Sequence, residues 1–338
     1  MKTDISKYLE NKFKNNKLIV NSKNLSELFN KFENTYSSLT NDFIKNMERE
    51  DIKYNNFHNF IKDIIFSNKT IVIINYNKQI IRLNIYYNNE NLDLFINNIL
   101  FVIYYLIKYS NYKLNITIDY LLTDLKKEIK NIKRNNIFTQ NEINSGLTDF
   151  KENKIIIWRK EEIMKVTIHE LIHLLNLGID RNNRNDLELI NHYKQKYDVS
   201  SNNILIDESY TEFLAILLNN YLITKFLNKK YNYFTYLLKL EINFTIFQCN
   251  KILFLSKTDN KIIDMNKYTQ VLSYYFIKLE LFMNLDLIIY LININNLNNL
   301  KQILLNNKFN FKKEKININL NKKEFKTLRM SLNEYKLF

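Results

Sequence analysis

The chain has 338 residues, 46% apolar and 14% aromatic, enough to bury a sizeable core in one large domain or two ordinary ones. It contains no proline and only two glycines, Gly146 and Gly178, where an average chain of this length would carry roughly 17 and 24. Neither a phosphate-cradling GxxxxGKS/T loop nor a GxGxxG dinucleotide fingerprint can therefore be written in it. The single cysteine, Cys249, excludes internal disulfides, cysteine-built zinc sites and CxxC redox centres, and reads as a small buried apolar residue. The formal charge of +14 comes from lysine scattered along the chain, with arginine scarce. That imbalance, together with the missing proline and glycine, fits an A/T-rich coding sequence. Bidentate recognition of bases and phosphates favours arginine, so the charge reads as a generic basic surface with no specific nucleic-acid partner.

With so few glycines and prolines, element boundaries come from hydrophobic periodicity and from Asn, Asp and Ser clusters. Residues 1–66 are polar at the start, with no signal peptide, and read as helical. Thr70–Asn75 and Ile80–Tyr87 are rich in β-branched and aromatic residues, and the link Tyr76-Asn77-Lys78 predicts a hairpin. A helix is expected over Asn91–Tyr109, a strand over Lys113–Asp119, a polar loop over Asn135–Phe150 and a short edge strand over Lys154–Trp158. Glu161–Leu177 then reads as a helix, with Gly178 placed where a C-terminal cap needs positive φ. From Asp186 to about Leu300 almost everything reads as helix, and the Lys-rich stretch from Asn306 as a small hairpin or surface tail. The expected fold class is α+β, in four segments. These are a helical N-terminal segment (1–66), a front lobe with a small mixed sheet (67–180), a mainly helical back lobe (181–305) and a Lys-rich C-terminal segment (306–338). No apolar run is long enough to span a bilayer, so the protein is expected to be soluble and intracellular, with no membrane partner.

Residues 169–173 read His-Glu-Leu-Ile-His, and half of the four histidines fall in this one pentapeptide. On a helix, positions i and i+4 share a face, so His169 and His173 can present two imidazole nitrogens to one ion. Glu170, rotated by about 100°, flanks the same point as a general base for water activated by a metal. The surrounding Ile163, Val166, Ile168, Leu171, Ile172 and Leu174 make the helix apolar nearly all round, which predicts a buried central helix. Two histidines and a glutamate buried there need a partner, and a metal ion supplies one. The third ligand of a metzincin does not follow. Asn176 and Ile179 stand where that pattern has Gly and His, and Asp180 lies nearby but off register. Downstream, Ile206-Asp207-Glu208-Ser209-Tyr210-Thr211-Glu212-Phe213 leads a long apolar helix with Glu208 and Glu212 on one face. On residues alone, either glutamate could be the third ligand, or both could be a solvated acidic face.

Here the chain resembles the gluzincin clan of zinc metallopeptidases, which pair HExxH with a glutamate on a second helix in an E-G-F/Y-A-E-F/Y type stretch. Ser209 and Thr211 replace Gly and Ala, and the gap from His173 to Glu208 is longer than in the best-known members. A helix at Asp186–Tyr197 would fill that gap. The resemblance implies a zincin-like fold and one Zn²⁺ held by His169, His173 and Glu208, with Glu170 as general base. Glu212 would hydrogen-bond a ligand histidine, most simply His169. It also implies a peptide or protein substrate paired along the strand Lys154–Trp158, which ends in Trp158 and Arg159, and an oxyanion donor for which Tyr274 and His192 are candidates. A catalytically inert zincin-fold binding protein, a small-molecule amidase and a basic nucleic-acid-associated protein are the alternatives.

Overall fold

The computed structural model describes residues 1–15, 18, 20–39, 42–45, 47–110, 113, 115–129, 138–179, 186–256, 266–309, 324 and 326–338. In chain order the elements begin with α1 (Asp4–Phe13), α2 (Lys23–Ser37), α3 (Asp42–Lys45), β1 (Met47–His58), β2 (Ile61–Tyr76), β3 (Gln79–Tyr87), α4 (Asp93–Ser110) and β4 (Ile116–Leu121). Then come α5 (Gln140–Ile143), β5 (Gly146–Asp149), β6 (Lys154–Ile157), α6 (Ile163–Leu174), α7 (Leu187–Tyr197), α8 (Ile206–Phe226) and α9 (Tyr231–Ser256). A π-helical segment (Leu272–Ile277) leads into α10 (Lys278–Met283), followed by α11 (Leu285–Asn293) and α12 (Leu300–Leu305). The class is α+β, and the chain divides into two compact units. No helix among the described residues is long and apolar enough to cross a membrane.

The first unit comprises Glu33–Lys126, Ser145–Leu177 and Tyr335–Phe338. It is built on one six-stranded mixed sheet of order β1-β2-β3-β4-β6-β5. The expected hairpin is β2–β3, antiparallel with Tyr76 opposite Gln79. Asn77 and Lys78 both take positive φ, the geometry of a two-residue turn that matches strand twist. β4 runs parallel to β3 and β6, while β5 runs antiparallel to β6. One face carries Val72, Ile74, Leu83, Ile85, Ile118 and Ile155, all essentially fully buried. Helices α4 and α6 pack together in this unit, α6 also lying against β5 and β6. The Tyr120 hydroxyl lies 3.2 Å from Thr167 Oγ1 on α6, and the Tyr120 ring meets Phe95 of α4 edge-on. Each aliphatic side chain buried this completely contributes about 1.5–3 kcal/mol.

Three expectations are corrected in this unit. Residues 47–58 and 61–66 are strand, joined by a turn, and not helix. β1 exposes most of its residues, so it shows no alternation, and it is held by pairing with β2. The strand Lys154–Ile157 is not an edge. It lies between β4 and β5, and the edge is β5, from the segment expected to be a polar loop. A strand of four residues is too short to display a period. Finally, Gly178 does not cap α6, since no glycine has positive φ. Asn176 takes the left-handed position instead (φ 51°), and the Leu177 N–H closes on the Ile172 carbonyl at 3.0 Å.

The second unit comprises Met1–Phe32, Lys127–Asn144 and Gly178–Glu334, and it is predominantly helical. α8 and α9 are buried along most of their length against the π-helical segment and α10. An irregular strap, residues 327–334, runs buried through these helices. Its carbonyls are met by side chains. Tyr275 donates to Leu328 O (2.6 Å), Lys278 to Met330 O (2.8 Å), Ser6 to Leu332 O (2.7 Å) and Asn219 to Asn333 O (3.1 Å). Gln248 donates to Arg329 O at 2.6 Å, and Lys251 donates to Thr327 O. Glu241 accepts the N–H groups of Leu332 (2.8 Å) and Asn333 (2.7 Å) and the Ser331 hydroxyl (2.8 Å). The expected C-terminal hairpin falls largely on residues 310–323, outside the described residues.

Candidate metal centre

α6 is apolar nearly all round and every residue of it but His173 is buried, which carries its histidines and glutamate into the interior. His169 and His173 stand one turn apart with ring centroids 4.9 Å from each other. His169 and Glu170 are buried, and His173 is half-buried. Two residues of β5 shape the space around Glu170. The Thr148 hydroxyl donates to Glu170 Oε2 at 2.7 Å and lies 3.4 Å from the Glu170 carbonyl oxygen. Gly146 lies so close that a Cβ there would come within 2.5 Å of Glu170 Oε1 and 2.8 Å of its Cγ. Strand periodicity turns Gly146 and Thr148 to the same face of the sheet.

That close approach gives Gly146 its own test. Gly146→Ala is expected to cost about 1–3 kcal/mol in chemical denaturation, because Glu170 must shift. Gly178→Ala, with no left-handed backbone to strain, should stay within about 0.5 kcal/mol of the parent. Equal losses at both positions would contradict the geometry.

Glu208 and Glu212 lie in the first turns of α8, Glu208 half-buried and Glu212 with no exposure. The Tyr274 hydroxyl donates to Glu208 Oε2 at 3.3 Å. Tyr274 comes from the π-helical segment, a distortion of the helical ladder found often at functional sites. Lys278 Nζ lies 3.8 Å from Glu212 Oε1, and neither side chain is exposed. A buried pair of this kind costs desolvation that only close partners offset, and Met330 O accepts a hydrogen bond from the ammonium group.

Among the described residues, one group of three or more His, Cys, Asp or Glu side chains could hold a metal ion. It is His169, His173 and Glu208, each offering one ligand atom, all within 4.8 Å of one another. The remaining expected residues sit as follows. His192, on α7, meets the Tyr193 ring edge-on at 5.0 Å, and burial followed by the Lys196 charge lowers its pKa. Trp158 packs its ring on Phe60 at 5.0 Å, against the cluster of Phe66, Tyr86 and Leu121, and Arg159 is buried. Asp180 lies outside the described residues. His58 is accounted for locally. Its Nδ1 accepts the Phe60 N–H at 3.1 Å, and its Nε2 lies 3.4 Å from Asp119. The residues that sequence reasoning missed are Gly146 as a close-approach position, Thr148 and Lys278. The scarcity of glycine was the one available signal, and it pointed to Gly146.

No family model matches the chain, and no solved structure matches it. Over 77 residues it is 34% identical to the uncharacterized protein R210 of Acanthamoeba polyphaga mimivirus. That similarity spans 22% of this chain and 18% of the viral protein.

Proposed function

We propose that this protein is a zinc-dependent peptidase of zincin type, in which His169, His173 and Glu208 hold one Zn²⁺ and Glu170 is the general base. The observation that carries the reading is the grouping of the three ligand atoms within 4.8 Å, with Glu170 adjacent to His169 in the chain. Two imidazoles and one carboxylate form a donor set that suits zinc with a coordination position left open. When bound, such an ion supplies Lewis acidity that brings the pKa of water down toward neutrality.

The chain's own groups account for the proton movements. Glu170 takes a proton from the attacking water and returns it to the leaving amine. Tyr274 holds the Glu208 carboxylate through its 3.3 Å hydrogen bond, and its single hydroxyl proton serves a developing oxyanion only once that bond is released. Glu212 orients a ligand histidine, His169 in the simplest assignment. The substrate is a peptide or protein segment in extended form. β5, with one side paired to β6 and the other not in the sheet, is the strand for it to pair with. Trp158 and Arg159 follow the interior strand β6, so their part in substrate binding is not favoured.

Elemental analysis tests the ligand set. The parent chain should carry one zinc, while His169→Ala and Glu208→Ala should lose it or bind it about 100-fold more weakly. Full zinc occupancy in both variants would sink the proposal. One zinc per chain with no cleavage of any peptide library would favour the inert binding protein.

A further inference from the structure

Resting on the peptidase reading, we propose that Thr148 of β5 is the positioning residue of Glu170. Its hydroxyl fixes one carboxylate oxygen so that the other is presented for proton exchange. A glutamate side chain on a helix has two free aliphatic torsions and a broad carboxylate torsion, so burial alone does not select one orientation. Here the neighbouring strand selects it. Thr148 Oγ1 donates to Glu170 Oε2 at 2.7 Å, a short charge-assisted bond. Glu170 Oε1 accepts no hydrogen bond from the described residues and lies over Gly146, where a methyl group would collide with it. The two β5 residues act as one device. The ladder sets Gly146 opposite Ile157 and Thr148 opposite Ile155, and a one-residue slip of β5 would turn both Gly146 and Thr148 to the opposite face of the sheet, away from Glu170. Thr148 is also β-branched, which restricts its χ1 and aims the hydroxyl.

The test compares Thr148→Val, which removes the hydroxyl and keeps the branch, with Thr148→Ser, which keeps the hydroxyl. Crystal structures of both variants and the parent, metal-free and zinc-loaded, read the Glu170 orientation directly. In Thr148→Val, Glu170 should occupy more than one orientation while zinc content stays at one per chain. Its kcat should fall about 10- to 100-fold with KM within about twofold of the parent, as expected for a misplaced reacting group. Thr148→Ser should restore the single orientation and bring kcat back to within about threefold. A single parent-like Glu170 orientation in Thr148→Val, or an unchanged kcat, overturns the proposal. If the zinc-loaded parent cleaves no peptide, the peptidase reading fails while the structures still decide the role of Thr148.

Discussion

Glu170→Gln is expected to keep one zinc per chain and to lower kcat by a factor of about 100 to 10,000, the range a positioned general base supplies. The amide has the shape of the carboxylate. Its oxygen can still accept from the Thr148 hydroxyl, and Gly146 leaves the same room for it. Folding stability should therefore stay within about 1 kcal/mol of the parent, since the hydrogen bond survives in weaker form. What disappears is the ability to take a proton from water and return it to the leaving amine. His169 and His173 are untouched, so metal content is the control that separates lost chemistry from a lost site. Activity retained above a tenth of the parent value, with zinc bound, would rule out Glu170 as the base.

Glu241→Ala is expected to cost about 3–5 kcal/mol, the penalty for removing one partner from a buried charged network. Glu241 is fully buried and accepts three hydrogen bonds from the strap, two from backbone N–H groups and one from Ser331. Burial pushes its carboxyl above the usual range, while those three donors and the Lys278 charge pull it back. Truncation leaves all of them facing an apolar gap. Against a total stability of roughly 5–15 kcal/mol, that is enough to unfold a large fraction of molecules at moderate urea. Glu241→Gln keeps acceptors but turns an amide N–H toward existing donors, and should cost about 1–3 kcal/mol. Chemical denaturation followed by circular dichroism checks both. A loss under about 1 kcal/mol for Glu241→Ala would show that the strap is not held as described.

The parts of the fold that were legible are those where one residue pattern had one physical outlet. The β2–β3 hairpin announces itself through two β-branched runs and an Asn-Lys turn that tolerates positive φ. α6 announces itself because its apolar residues spread nearly all round it, and within it the i, i+4 spacing of His169 and His173 needs no knowledge of the rest of the chain. β1 was not legible. Its side chains are mostly exposed, and its strand state comes from its partner rather than from its own composition. β5 was not legible for a related reason, since Gly-Leu-Thr-Asp has no run of strand formers and takes its place by pairing with Lys154–Ile157. With β5 unseen, Thr148 could not be connected to Glu170. The end of α6 was misread because Asn176 does what glycine usually does there, a substitution natural in a chain so poor in glycine. The buried charges Glu241, Lys251 and Lys278 gave no local signal at all, because their partners lie some 50 to 90 residues away in sequence.

Those distant partners bear on how the chain is made. The strap supplies the acceptors for Lys251, Lys278 and Gln248 and the donors for Glu241, so the helices around it cannot satisfy their interior until residues 327–334 have left the ribosome. During synthesis, α8 and α9 wait with charged and amide groups unanswered and much apolar surface uncovered, a state prone to aggregation and to capture by chaperones. Completion of this bundle therefore waits on the synthesis of residues 327–334, well after the helices they join have been made.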